Sequence, residues 1–251
     1  ALGATPTAPR NEDLSDGARL ERGAAYGKPV KAEAGLSGWP TLRHDSERSG
    51  CTSVSVPTEL DSGWRSEIGG KVTALTVSGG KVFVAQVDRH RLHALDADSG
   101  DTAWTFTAGG RIDSPPTIYQ GRVLFGSRDG YVYCLRASDG ELIWRFRAAP
   151  TTQKLMSYDQ LESVWPVHGS VLVQDGVVYC VAGRSMFLDG GLRLLRLDAQ
   201  TGRMLSENVM DRYIPGTKRS LEDEMQGKQI PIALPDVLSS DGKFVYMRAQ
   251  Q

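Results

Sequence analysis

Apolar residues fall in short runs closed by glycine and aspartate, not in helical periods. Lys81-Val82-Phe83-Val84, Arg122-Val123-Leu124-Phe125 and Val177-Val178-Tyr179-Cys180 each follow a glycine, as does Lys243-Phe244-Val245-Tyr246-Met247. Runs rich in β-branched and aromatic residues between turn formers predict strands. Ser99-Gly100, Asp129-Gly130, Asp139-Gly140 and Thr201-Gly202 mark further turns; glycine there supplies the positive φ that a tight hairpin needs. In the best-preserved stretch the pattern predicts strands at about 113–119, 122–127, 131–136 and 142–148.

The unit recurs. Ala94-Leu95-Asp96-Ala97-Asp98-Ser99-Gly100 leads to Trp104, and Cys134-Leu135-Arg136-Ala137-Ser138-Asp139-Gly140 leads to Trp144. Arg196-Leu197-Asp198-Ala199-Gln200-Thr201-Gly202 leads to Ser206 where a further tryptophan is due. Trp64, Trp104 and Trp144 stand at 40-residue intervals. Self-similar, strand-forming units of roughly 40–45 residues are the sequence signature of propeller blades. The expected fold is therefore all-β: a partial β-propeller arc of about three and a half four-stranded antiparallel blades. The blades fall at about 64–107, 108–148 and 149–206, with a partial one at 236–251, all within 38–251.

Residues 1–37 show no period and are expected to be an irregular lead-in; 38–63 carry Trp39-Pro40 and are expected to hold an incoming strand. The third unit is longer, 62 residues from Gly140 to Gly202, with a short helix expected over 153–162 and a glycine-rich loop over 182–191. Residues 207–235 read as a polar insertion with a helical turn near 220–225. Insertions on a rigid repeat scaffold are where binding function concentrates. An indole buries roughly 150–250 Å², so one tryptophan per repeat on an outer strand is expected to wedge against the next blade. Trp64, Trp104 and Trp144 are assigned this structural docking role.

Ala-Leu-Asp-Ala-x-Ser/Thr-Gly-x-x-x-Trp resembles the tryptophan-docking motif of the pyrroloquinoline-quinone (PQQ) type propeller repeat. That repeat is found in quinoprotein alcohol dehydrogenases and in non-enzymatic relatives such as the lipoprotein of the bacterial outer-membrane assembly machinery. Trp39 to Gly50, Gly110-Arg111-Ile112-Asp113-Ser114-Pro115-Pro116 and Trp165-Pro166-Val167-His168-Gly169 are similar to stretches of bacterial proteins built from the same repeat. The resemblance implies an extracytoplasmic location, periplasmic or in the cell envelope. Three repeats and a stub imply a segment of a longer protein, whose remaining blades would complete the ring.

Quinoprotein dehydrogenases resemble one another in an adjacent cysteine pair against the quinone, a facing tryptophan, and Glu, Asn and Asp around calcium. Cys51, Cys134 and Cys180 are widely separated, and neither a calcium ligand nor a catalytic base carries over to a numbered position. No cofactor is evident in this segment; PQQ with calcium is expected only if further blades supply the site. The expected function is a non-catalytic binding or scaffold module. Alternatives are a fragment of a PQQ-dependent dehydrogenase, and a sensor or regulatory propeller fused to another catalytic domain.

Bulk properties narrow the partners. With 29 basic and 30 acidic residues the net charge is −1, which gives no field for nucleic acid. Mean hydropathy is −0.31, and no run approaches the ~20 apolar residues of a membrane helix. No Cys-x-x-Cys pair is present for zinc or redox work, and Cys134 and Cys180 read as buried free thiols. The expected partner is a protein or small-molecule ligand at one face of the propeller.

Loops that lead into inner strands open on one face of a propeller. Arg111, Asp113 and Ser114 occupy that position in the second unit, and Glu162, Trp165 and His168 in the third. If the loops converge, they form a charged and aromatic mouth suited to an anionic or planar ligand. His44-Asp45 neighbours are expected to point apart on a strand, as are His90 and His93, so no metal site is assigned to them. Arg128-Asp129-Gly130 reads as a plain β-turn, and Arg184 with Gly190-Gly191 as a loop without the spacing of a phosphate cradle.

Overall fold

The computed structural model describes residues 15–31, 38–214, 217, 219–221 and 232–250. One turn of helix, α1 (Asp16–Arg19), runs into β1 (Leu20–Arg22). The first four-stranded sheet comprises β2 (Thr76–Ser78), β3 (Lys81–Gln86), β4 (Arg91–Asp96) and β5 (Thr102–Thr107). The second comprises β6 (Thr117–Tyr119), β7 (Arg122–Gly126), β8 (Tyr131–Arg136) and β9 (Leu142–Arg147). A two-stranded hairpin follows, β10 (Lys154–Ser157) and β11 (Gln160–Ser163). The third sheet comprises β12 (Leu172–Gln174), β13 (Val177–Ala182), β14 (Leu192–Asp198) and β15 (Met204–Met210). The last pair is β16 (Ile232–Ser240) and β17 (Val245–Gln250). All pairings in these sheets are antiparallel, and the four strands of each large sheet follow chain order.

The core lies between consecutive sheets. Phe83, Leu92 and Trp104 of the first sheet pack with Ile118, Phe125 and Tyr133 of the second. Leu124, Cys134, Trp144 and Phe146 of the second pack with Val178, Cys180 and Leu195 of the third. Leu172, Val181 and Leu192 of the third meet Leu238 of β16. The second and third sheets are thus covered on both faces, which explains why β7 and β8 read as continuous apolar runs. The expected buried thiols are found: Cys134 and Cys180 are buried and free, and Cys51 is exposed and free.

Each repeat tryptophan reaches into the following sheet's last turn. The indole N–H of Trp64 donates to Ala97 O at 2.8 Å, that of Trp104 to Ala137 O at 3.0 Å, and that of Trp144 to Ala199 O at 3.3 Å. Each ring lies against the turn glycine. A Cβ built on Gly140, whose φ is +74°, would come within 2.5 Å of the Trp104 ring. Trp104 and Trp144 lie on outer strands; Trp64 lies outside any strand.

Four sequence expectations are corrected. The stretch 153–162 is the β10/β11 hairpin, not a helix: its residues alternate across the pleat, and Tyr158 and Asp159 close the turn with φ of 50° and 60°. The lead-in is not irregular throughout, because β1 pairs with β9 as a fifth strand of the second sheet; residues 1–14 and 32–37 lie outside the described residues. No strand forms over 38–63, where Trp39 makes one isolated bridge to Val77. His44 and Asp45 do meet, at 3.4 Å, because they sit in a turn. Most of the helical turn expected near 220–225 lies outside the described residues.

Residues 39–50 cross the inner strands of successive sheets. Ile118 N donates to Pro40 O at 2.7 Å, Thr41 and Thr117 share a hydroxyl hydrogen bond at 2.8 Å, and Ser240 N donates to Ser46 O at 2.8 Å. Arg48 is buried among carbonyls, donating to Leu238 O at 2.9 Å and Leu42 O at 2.9 Å. Burial lowers its guanidinium pKa to about 10, against a smaller opposing effect of Asp45.

Candidate functional site

The site begins with a close approach of two backbones. Gly109 and Gly110 run so near the β7–β8 turn that a Cβ on Gly110 would lie 2.6 Å from Asp129 N. Arg128 N donates to Arg111 O at 2.9 Å, so the two arginines stand side by side. The next tie comes from the hairpin: Ser163 N donates to Arg128 O at 2.7 Å. Arg111, Arg128 and Glu162, from three separate segments, are thereby brought together.

Carboxylates separate the two cations. Arg111 approaches Asp113 at 3.3 Å, Asp88 at 3.3 Å and Glu162 at 3.9 Å. Arg128 pairs with Glu162 at 2.8 Å and with Asp113 through Nε. Burial disfavours the Arg128 charge, but the hydrogen bonds it donates to Asp113 and Glu162 outweigh that and raise its pKa. Glu162 is 1% exposed, and the two arginines are the groups that compensate the burial of its carboxylate. Ser114 Oγ donates to His168 O at 2.9 Å. Burial, followed by the Arg128 charge, holds the His168 pKa below its ordinary value and keeps the ring neutral at pH 7.

Of the six expected mouth residues, Arg111, Asp113, Ser114, Glu162 and His168 converge. Trp165 does not join them; its ring belongs to the core between the second and third sheets. A cleft of about 660 Å³ opens beside the cluster, and its wall includes Lys71, Asp88, Tyr158 and Gln160 besides Arg111 and His168. Gln160 ties the hairpin to the first sheet, bonding His90 Nε2 at 2.7 Å and donating to Asp88 O at 3.2 Å.

Sequence reasoning missed Arg128, Asp88 and, of the hairpin, Tyr158 and Gln160, while Glu162 was expected. Arg128 was legible in one respect: it lies just past β7, and in an antiparallel pair that is the end at which β6 begins. The hairpin carried a weaker signal, because a helix and a hairpin compete for any short amphipathic run.

The inner face of the hairpin carries Gln160 and Glu162, bonded to their neighbours, with the half-buried Leu155 opposite Glu162. Its outer face is apolar: Met156 and Leu161 are directly opposite across the strands and 66% and 59% exposed, and Tyr158 at the tip is 78% exposed. This reverses the usual arrangement, in which the apolar face is turned inward.

Consecutive antiparallel sheets joined through tryptophan–turn contacts, with loops converging at one face, define an arc of a β-propeller. A family model described as outer membrane protein assembly factor BamB matches residues 60–208. The chain belongs to this PQQ-type repeat family. It is 24% identical over 174 residues to the outer membrane protein assembly factor BamB of Francisella salina, covering 66% of this chain and 30% of that relative. It is 29% identical over 122 residues to the Escherichia coli protein of the same name, covering 47% and 29%. The matched region therefore spans less than a third of either relative. Among solved structures, quinohemoprotein alcohol dehydrogenase from Comamonas testosteroni superposes with a TM-score of 0.62 at 18% identity, over 86% of this chain and 36% of that one. That likeness concerns the fold.

Proposed function

We propose that the chain is a non-catalytic scaffold module that binds a polypeptide partner at the mouth face, as part of a longer propeller. The observation that carries this reading is the β10/β11 hairpin, clamped by its polar face and presenting Met156, Tyr158 and Leu161 to solvent. Contiguous apolar surface on a rigid support marks a binding surface, and a free strand edge adds main-chain recognition. The names of the curated relatives agree with an assembly role and with a place outside the cytoplasm.

In this reading the charged cluster positions the hairpin. Arg128 and Arg111 hold Glu162 from beneath, and Gln160 reaches the first sheet. The expected result is co-elution with outer-membrane assembly proteins, lost in a Met156→Asp/Leu161→Asp variant of unchanged melting temperature. Co-elution that survives this variant would count against the hairpin as the docking element.

The propeller likeness to an alcohol dehydrogenase supports a second reading, a fragment of a PQQ-dependent oxidoreductase. Reconstitution with PQQ and calcium separates the two: a bound quinone chromophore with dye-linked alcohol oxidation would replace the scaffold reading.

A further inference from the structure

We propose that the cleft beneath the hairpin binds a neutral, polyhydroxylated ligand of the saccharide class; this deepens the reading of the mouth as a binding face, and rests on it. Two residues of the cleft wall hold a buried side-chain atom without a hydrogen-bond partner, Arg111 Nε and His168 Nδ1, and Glu162 Oε1 behind the wall is a third. Arg111 is 7% exposed and Glu162 1%. Their ion contacts do not satisfy these atoms, for Arg111 Nε stands 3.3 Å from Asp88 without hydrogen-bond alignment and Glu162 Oε1 stands 3.9 Å from Arg111 Nη1. An unsatisfied buried group is costly, and here the groups are of both kinds, a guanidinium donor and a carboxylate acceptor.

Arg111 Nε, a donor, and the ring nitrogen His168 Nδ1, both on residues of the cleft wall, select the ligand chemistry. A hydroxyl donates once and accepts twice, so a vicinal diol serves both from one edge. A trans peptide group points its N–H and C=O in opposite directions and meets only one of the two. Arg111 and His168 line the cleft, and Glu162 lies behind Arg111.

Charge balance favours a neutral ligand. Lys71, Arg111 and Arg128 on the cleft wall face Asp88, Asp113 and Asp159, and Glu162 behind the wall is paired with Arg128. A net charge on the ligand would stand uncompensated beside a buried, already paired network. Tyr158 supplies the apolar element: the Arg111 guanidinium lies 5.2 Å from its ring centroid, while most of the side chain remains exposed for the C–H face of a pyranose. The cleft volume of about 660 Å³ falls within the range for small-molecule sites.

The test is calorimetric titration of the folded chain with glucose, maltose and N-acetylglucosamine, with succinate and acetyl-trialanine amide as anionic and peptide controls. At least one sugar is expected to bind with a Kd below about 1 mM. Arg111→Lys is expected to weaken binding about tenfold. Tyr158→Ala, a change at an exposed ring, is expected to weaken it severalfold without moving the melting temperature. No heat with any sugar at about 10 mM, equal binding of either control, or unaltered affinity in both variants would overturn the proposal. Absent sugar binding with intact partner co-elution removes this inference alone. Sugar binding without co-elution removes the scaffold reading and keeps the ligand class.

Discussion

The indole N–H of Trp104, on the outer strand of the first sheet, donates to the carbonyl of Ala137 in the second, at 3.0 Å. One residue thus joins two sheets by burial and by a hydrogen bond, and Trp144 repeats the contact with the third. Trp104→Ala is expected to destabilise the chain by about 3–5 kcal/mol by emptying this site. His44→Ala, at a turn, should stay within about 0.5 kcal/mol. Denaturant titration measures both, and equal small losses would remove the docking role.

Gly140 is the other half of that contact. Its φ of +74° and the 2.5 Å approach of a built Cβ to the Trp104 ring leave no room for a side chain. Gly140→Ala is expected to destabilise by more than the ~1 kcal/mol of an ordinary glycine-to-alanine effect. Combined with Trp104→Ala it should cost less than the two changes added together.

Glu162 is buried and paired with the half-buried Arg128, so removing the arginine alone should be worse than removing both. Arg128→Met alone is expected to cost roughly 3–5 kcal/mol, and the Arg128→Met/Glu162→Leu double variant clearly less. A double-mutant cycle followed by thermal unfolding reads the difference. Simple additivity would mean that the pair is not coupled.

His168 gives a pH dependence of known sign. Its folded pKa lies below the ordinary 6.5 because burial and then Arg128 disfavour the charged ring. The folded state then binds fewer protons than the unfolded state in this range, and stability rises with pH. Acidification from pH 7 should therefore erode stability as pH falls through 6.5 toward the folded pKa. Asp198 and Glu207, whose pKa values are lowered by hydrogen bonds against the opposing effect of burial, add a second loss only at lower pH. His168→Gln should reduce the upper phase; His93, shifted in the same direction, would account for what remains.

The regular part of this fold was legible because its signal is local and repeated. Alternation, turn glycines and the tryptophan interval specify strands β2 to β9 and β12 to β15 without long-range information. The hairpin was not legible, since Lys154 to Ser163 becomes a strand pair through contacts with Asp88, His90 and Arg128, all remote in sequence. The pairing of β1 with β9 was hidden for the same reason: Leu20–Arg22 is short, and its partner lies more than 100 residues away. For the site, the loop positions of Arg111, Asp113 and His168 were readable from propeller geometry. The neutralising role of Arg128 was not, because a β-turn motif specifies backbone shape and says nothing of where its arginine ends.

Arg19 fixes the start of β1: it is fully buried, donates to Arg147 O at 2.8 Å and Ala148 O at 3.1 Å, and pairs with Glu207 at 3.0 Å. The rim of the second sheet is consequently sealed, whereas β5 and β15 end their sheets without a further strand among the described residues. A fragment trimmed at Gly23 would unmask the β9 amides and carbonyls as a template for foreign chains. Recombinant preparations that keep residues 15–31 should accordingly stay dispersed at concentrations where shorter ones precipitate.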